Sequence, residues 1–192
     1  MIKNILAFDT ASAHCAACLI MDDKVIVRVD QMAKGQAEHL MPMLEAVLAE
    51  NGLTWADLDA IGVGTGPGNF TGIRISVSAA RGLALGLKIP AVGVTHLEAQ
   101  VYGLPRPVTA KVAAPREHVY VQTFADDLGP AELVSAECAE NAPPIITPEL
   151  MIQNIAQITR SRAAHNPDRP APYYVRAADA APPRDAPPII LP

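Results

Sequence analysis

Charge is scarce in this chain. Only 18% of its 192 residues are Asp, Glu, Lys or Arg, and the formal net charge is −5. No run of Lys or Arg occurs, and the densest basic spot, Arg160 to Arg162, suits the C-terminal end of a helix dipole without further function. A protein that grips nucleic acid alone carries a basic face. Tight, direct RNA binding by this chain is therefore not expected. Cysteine is scarce too: Cys15, Cys18 and Cys138 are too few for a four-cysteine zinc site and odd in number, which points to a reducing, cytoplasmic setting. Long apolar runs are missing. The opening M-I-K-N-I-L-A-F-D is too short for a signal peptide and is interrupted by Asp9, and no stretch approaches the roughly 20 apolar residues of a spanning helix. A soluble chain without membrane contact is expected.

Several catalytic patterns are absent as well. The five histidines are His14, His39, His96, His118 and His165, and no two are four apart, so no helical turn carries an imidazole pair for a metal. H-E-x-x-H does not occur, which removes the usual metalloprotease signature. A lone His39 reads as a helix-surface residue. No catalytic residue and no metal site is assigned.

What is present is an apolar, globular composition, 50% hydrophobic, in a chain long enough for one large domain or two small lobes. With so little charge, either a partner covers some apolar surface or the chain is simply rich in alanine. Ile2 to Phe8 reads as a buried strand. Cys15 to Met21 and Val25 to Val29 read as a hairpin around the turn at Asp22-Asp23-Lys24. Residues 36 to 50 place Leu40, Met43, Leu44, Val47 and Leu48 at helical spacing, ended by Asn51-Gly52. Asp59 to Gly64 is a continuous apolar strand. Thr71 to Leu87 is a helix apolar nearly all round, as in a deep core or an interface. Pro90 to Val94 is a short strand, and Thr95 caps a helix through about Tyr102. Beyond residue 103, Val108 to Ala113 and Val119 to Phe124 read as strands, and Thr147 to Arg160 as a capped helix. Eleven of the 18 prolines fall between Pro143 and Pro192, which predicts a small second lobe with a loosely ordered end. The expected division is 1–103 and 104–192, an α/β chain with a mixed sheet in its first lobe.

The segment from Gly64 to Arg74 reads G-T-G-P-G-N-F-T-G-I-R. It leaves a buried strand and opens a long helix, a setting in which backbone N–H groups and a helix N-terminus can bind anions. Gly66 and Gly68 permit a tight turn. The segment lacks the Gly-Lys-Ser/Thr of a P-loop and does not match G-x-G-x-x-G, so a purely structural turn is the competing reading. Asp9, Thr10 and Ser12 pose the same choice: a carboxylate and two hydroxyls could hold magnesium and phosphate, or could satisfy the turn's own backbone. Cys15 and Cys18, three apart in a strand, point to opposite faces and read as buried small hydrophobes rather than as a disulfide.

The string G-P-G-N-F-T-G-I-R closely resembles the G-P-G-S-F-T-G-x-R signature of the TsaB (YeaZ) family. D-T-A-S-A-H-C-A-A-C-L-I at Asp9 to Ile20, E-H-L-M-P-M-L at Glu38 to Leu44, and Y-Y-V-R at Tyr173 to Arg176 are similar to further motifs of that family. The resemblance implies an actin-like ATPase (ribonuclease H-like) fold, with one full N-terminal lobe and a shortened second lobe. It also implies a non-catalytic scaffold role in forming threonylcarbamoyladenosine in tRNA. The implied partners are TsaD, which holds the metal and performs the transfer, and the ATPase TsaE, with tRNA met only indirectly; whether the chain pairs with a second copy of itself as a homodimer when alone is left open. The implied interface lies on the two helices, at Leu40, Met43, Leu44, Val47, Ile73, Arg74, Val77 and Arg81. No cofactor is required of this chain, with weakly held ATP or ADP at the partner interface left open. A free-standing ATP-binding phosphotransferase of the same fold is the alternative. Two departures stand out: Gln36 replaces a His that the family often carries, and Ala114-Pro115-Arg116 lacks the acid of the family's D-A-R.

Overall fold

Alternation along the first strands sets the architecture. The computed structural model describes residues 2–175. In strand β1 (Asn4–Asp9), Leu6 and Phe8 face one side while Ile5 and Ala7 face the other. Strand β2 (His14–Met21) pairs antiparallel with β1 and with β3 (Lys24–Gln31). Helix α1 (Gln36–Glu50) follows, with the bounds its apolar spacing predicts, and Gly52 just beyond it has φ +70°. Strand β4 (Ala60–Gly64) adds parallel to β1, and β5 (Ala91–Val94) parallel to β4. Between them runs helix α2 (Phe70–Leu87). The sheet order is β3-β2-β1-β4-β5.

One face of this sheet is covered by α1 and α2. Leu40, Met43, Leu44, Val47 and Leu48 from α1, with Ile73, Val77 and Ala80 from α2, pack on Leu6, Phe8, Leu19, Ile61 and Val63. The opposite face is covered by helix α4 (Pro148–Arg162), whose Ile152, Ile155, Ala156 and Ile158 lie on Ile5, Ala7, Ala16, Cys18, Ile20 and Val92. Cys15 and Cys18 fall in these two different cores, as strand alternation requires, and burial pushes their thiols up to about 11 and about 12.

The short helix α3 (His96–Gln100) joins this body to a second sheet, β6 (Val108–Ala114), β7 (His118–Phe124) and β8 (Glu132–Ser135), antiparallel in that order. Leu97 and Val101 pack on Ala110, Val112 and Phe124. Strand β8 was not expected. Ala114 ends β6, so the place of the missing acid is a hairpin corner where Arg116 and Glu117 have φ near +58° and +57°.

Two expectations change. A division at residue 103 does not bound the first lobe, because α4 from the second half completes it; the helix carries an apolar stripe that fits the uncovered face of the larger sheet. Helix α2 is not buried all round either: Arg74, Ser78, Arg81 and Leu85 form an exposed stripe, with Leu85 72% exposed. Residues 176–192, including Arg176 of the Y-Y-V-R motif and most of the Ala/Pro-rich end, lie outside the described residues. No helix among the described residues is long and apolar enough to cross a membrane.

Candidate functional site

Strands β1, β4 and β5 run parallel and end at Asp9, Gly64 and Val94. The residues that follow them therefore meet at one edge of the sheet, the edge where open α/β sheets place ligands. Here that edge is stitched to itself. Thr65 N–H donates to Val94 O at 2.9 Å, His96 N–H to Gly66 O at 2.7 Å, and Asn69 N–H to Ala11 O at 2.7 Å. Asn69 also caps α2, its Oδ1 accepting from the Gly72 amide at 2.8 Å. Thr10 Oγ1 donates to the Gly72 carbonyl at 2.6 Å, so this hydroxyl is spent on the turn.

Two glycines allow this closeness. Gly66 has φ +100°, which an L side chain rarely adopts, and a Cβ there would also press on Ile73 Cδ1 at 2.6 Å. Gly72 lies directly against the Thr10 carbonyl, leaving no room for a methyl group. Overhead passes the segment after α4: Tyr173 N–H donates to Thr65 O at 2.8 Å, and Tyr174 stacks on Phe70 with ring centroids 5.1 Å apart. Arg74 lies over Phe70 and donates from Nε to Tyr174 Oη at 3.0 Å.

Beneath the loop sits Asp9, only 2% exposed. His96 Nε2 donates to its Oδ1 at 2.9 Å, the Ala11 amide to its Oδ2 at 3.1 Å, and His14 Nε2 lies 3.4 Å from the same oxygen. Burial works to raise the Asp9 pKa, but His96 and then His14 outweigh it and hold the carboxyl well below the usual carboxylate range. His96 is shifted the other way. Burial alone would favour the neutral ring, yet the Asp9 charge and hydrogen bonds to Asp9 and the Pro67 carbonyl raise its pKa above the ordinary imidazole value.

The expected site residues thus separate. Asp9, Thr10 and Gly66 are buried parts of the turn, and Gly68 is half-buried against Ala11. Ser12 alone is exposed. It lines a cleft of about 460 Å³ with Lys34, Gln36, Asn69 and Thr71, between the first turns of α1 and α2. Among the expected interface residues, Leu40, Met43, Leu44, Val47, Ile73 and Val77 are buried in the core and offer a partner no surface; helical periodicity shows that a face is apolar, not what covers it. Arg74 and Arg81 are exposed on α2. His39 bridges α1 to β3, its Nε2 2.7 Å from Asp30 Oδ2. Sequence reasoning missed His96 and His14 as partners of Asp9. The signal was topological: His96 is the second residue past the end of a strand parallel to β1.

Comparison with known proteins adds a second line of evidence. Residues 30–158 match the family model described as "TsaD: tRNA N6-adenosine threonylcarbamoyltransferase". An uncharacterized protein of Mycobacterium tuberculosis is 34% identical over 205 residues, covering 94% of this chain and 95% of that protein. The tRNA threonylcarbamoyladenosine biosynthesis protein TsaB of Escherichia coli is 36% identical over 100 residues, covering 52% of this chain and 43% of that protein. The chain belongs to the TsaD family, on its TsaB/YeaZ branch. It spans about half the length of the TsaB proteins it matches, whereas its match to the mycobacterial relative is nearly end to end. YeaZ from Pseudomonas aeruginosa superposes with a TM-score of 0.68 at 22% identity, covering 90% of this chain and all of that one. A second P. aeruginosa structure, described as similar to peptidase YEAZ, gives 0.71 at 22% identity, covering 91% of this chain and all of that one. The fold is thus the actin-like, ribonuclease H-like fold of the TsaB/YeaZ branch, with a three-stranded second sheet.

Proposed function

We propose that this chain is a non-catalytic scaffold subunit of a cytoplasmic complex that forms threonylcarbamoyladenosine in tRNA, pairing with a TsaD subunit and working with a TsaE ATPase. The observation that carries this reading is the engagement of Asp9. In an actin-like phosphotransferase, a carboxylate here would need a free oxygen for magnesium, and both oxygens are taken by His96, His14 and the Ala11 amide. The name of the E. coli relative supports the pathway. The stripe at Arg74, Ser78, Arg81 and Leu85 supports pairing: its small and apolar members let another helix approach, and its arginines suit an acidic partner. Two copies of the chain would use the same stripe when TsaD is missing. The net charge of −5 supports contact with tRNA through the partner rather than directly.

Reconstitution tests this. TsaD and TsaE of the same organism, supplied with tRNA and threonylcarbamoyl-adenylate, are expected to modify tRNA only when this chain is added. Full modification without it would overturn the reading. A second reading, binding of ATP, is favoured by the cleft, where Ser12 and Lys34 sit beside the starts of two helices. Calorimetry with Mg-ATP tests it: tight binding and turnover by the isolated chain would place the function there instead, while weak binding seen only with TsaD would put a nucleotide at the shared interface.

A further inference from the structure

His96 faces two acceptors. Its Nε2 lies 2.9 Å from Asp9 Oδ1 and its Nδ1 lies 3.1 Å from the Pro67 carbonyl oxygen. A neutral imidazole has one N–H and can satisfy only one of them. The geometry therefore calls for a second proton, held between His96 and Asp9. The other contacts to Asp9, from the Ala11 amide and His14, both stabilise the carboxylate form, so the proton belongs to the ring and the pair is ionic. The pair is sealed, with side chains 4% and 3% exposed.

Among the described residues, the titratable groups facing the pair are few. From β1 there is Asp9 itself and from β2 His14, 3.4 Å from Asp9 Oδ2; the glycine loop contributes the Pro67 carbonyl. Glu98, on the same short helix as His96, is held by Arg162 of α4. Glu149, in the first turn of α4, feels His14 from an exposed position. The Pro67 carbonyl that His96 holds is two residues before Asn69, which caps α2, and three before Phe70, where the exposed side of α2 begins.

We propose that the Asp9–His96 pair is a proton-held lock on the glycine loop, and that release of its proton loosens the start of α2 and weakens partner docking there. Loss of the proton leaves the ring one N–H for two acceptors, so either Pro67 O or Asp9 Oδ1 faces a bare lone pair in a dry site. The direction follows from linkage. A folded-state pKa raised above the ordinary 6.5 gives stabilisation that is complete below that value and lost as pH rises through the folded pKa. The docking half of the proposal rests on the scaffold reading above.

The test uses the whole chain. The His96 ring is followed by NMR with histidine-labelled protein while amide exchange is measured at Gly72 and Ile73, each referred to Ile155 in α4 to cancel the general effect of pH on exchange. The expected result is a His96 titration above 6.5, with the Gly72-to-Ile155 ratio rising about tenfold for each unit by which that titration exceeds the unfolded value. The Asp9→Asn variant should move the His96 titration downward. If that variant does not fold, the titration of the natural chain decides alone. A ring that titrates at or below 6.5, or a ratio that stays flat through its titration, overturns the lock. Calorimetric titration of TsaD on both sides of the transition should show weaker binding on the alkaline side. Equal affinity on both sides overturns the docking half. No TsaD binding at any pH overturns the scaffold reading and the docking half with it, while ring titration and exchange still decide the lock.

Discussion

Inward, α2 presents Gly72, Ile73, Ser76, Val77 and Ala80; outward, it presents Arg74, Ser78, Arg81 and Leu85. The inward face is narrow because the backbone of Thr10 and Ala11 lies against it, with Gly72 touching the Thr10 carbonyl and Thr10 Oγ1 bonded to the Gly72 carbonyl. Among the described residues, the outward face meets the Tyr174 ring at Phe70 and Arg74, and at Arg81 and Leu85 it borders a cleft shared with Pro167, Arg169 and Pro170. One face is fixed by this chain's own packing, and its residues cannot change size. The other is free of that constraint, and there the helix keeps a large apolar side chain in water. The contrast separates residues that hold the fold from residues that can meet another molecule.

Substitutions can break the contrast, and the inward side should suffer most. Ile73→Ala empties a filled position under the glycine loop and should lower unfolding free energy in urea by about 2–5 kcal/mol. Gly72→Ala forces a methyl group against the Thr10 carbonyl and should cost about 1–3 kcal/mol by the same measurement. Acid attacks the same side. The Asp9 pKa is depressed in the folded chain, so its contribution is present above the ordinary 3.8 and lost as pH falls through the folded value. A melting series below pH 4 should therefore fall more steeply for the natural chain than for Asp9→Asn; parallel curves would remove Asp9 from the account. On the outward side, Leu85→Asp should change stability by no more than about 0.5 kcal/mol. Its effect should instead be seen in binding, as loss of co-purification with TsaD. Unchanged pairing would move the interface off this stripe.

The fold was legible wherever period and punctuation agreed. Helix α1 could be bounded from its apolar spacing and the Asn51-Gly52 stop, and β1, β2, β4 and β5 from apolar runs between turns. Strand β8 was not, because Glu132–Ser135 is four residues long and covered only in part. The contrast on α2 was hidden because Leu85 looks like Leu83 in a sequence; only the sheet's position distinguishes them. At the site, the missing P-loop lysine and metal pair already lean the residues toward a structural turn rather than a phosphate cradle, but they do not say what engages Asp9. Asp9 and His96 are 87 positions apart, and only the parallel arrangement of β1, β4 and β5 brings them together. The placement of α4 was also illegible, since an amphipathic helix announces that it has an apolar side without naming the sheet that takes it.

The position of α4 has a consequence for the order of events during synthesis. By the time residue 103 has been made, every strand of the larger sheet exists, yet Ile5, Ala7, Ala16, Cys18 and Ile20 still have their side of the sheet bare. The cover arrives with residues 148–162, and at about 5–20 residues per second the growing chain carries that bare apolar face for several seconds. These contacts join strands near residues 5–20 to a helix at 148–162, the kind of pairing that folds slowly because a long loop must close first. The first lobe is thus begun early and finished last, and in that interval it offers its unfinished side to any chaperone or neighbouring nascent chain.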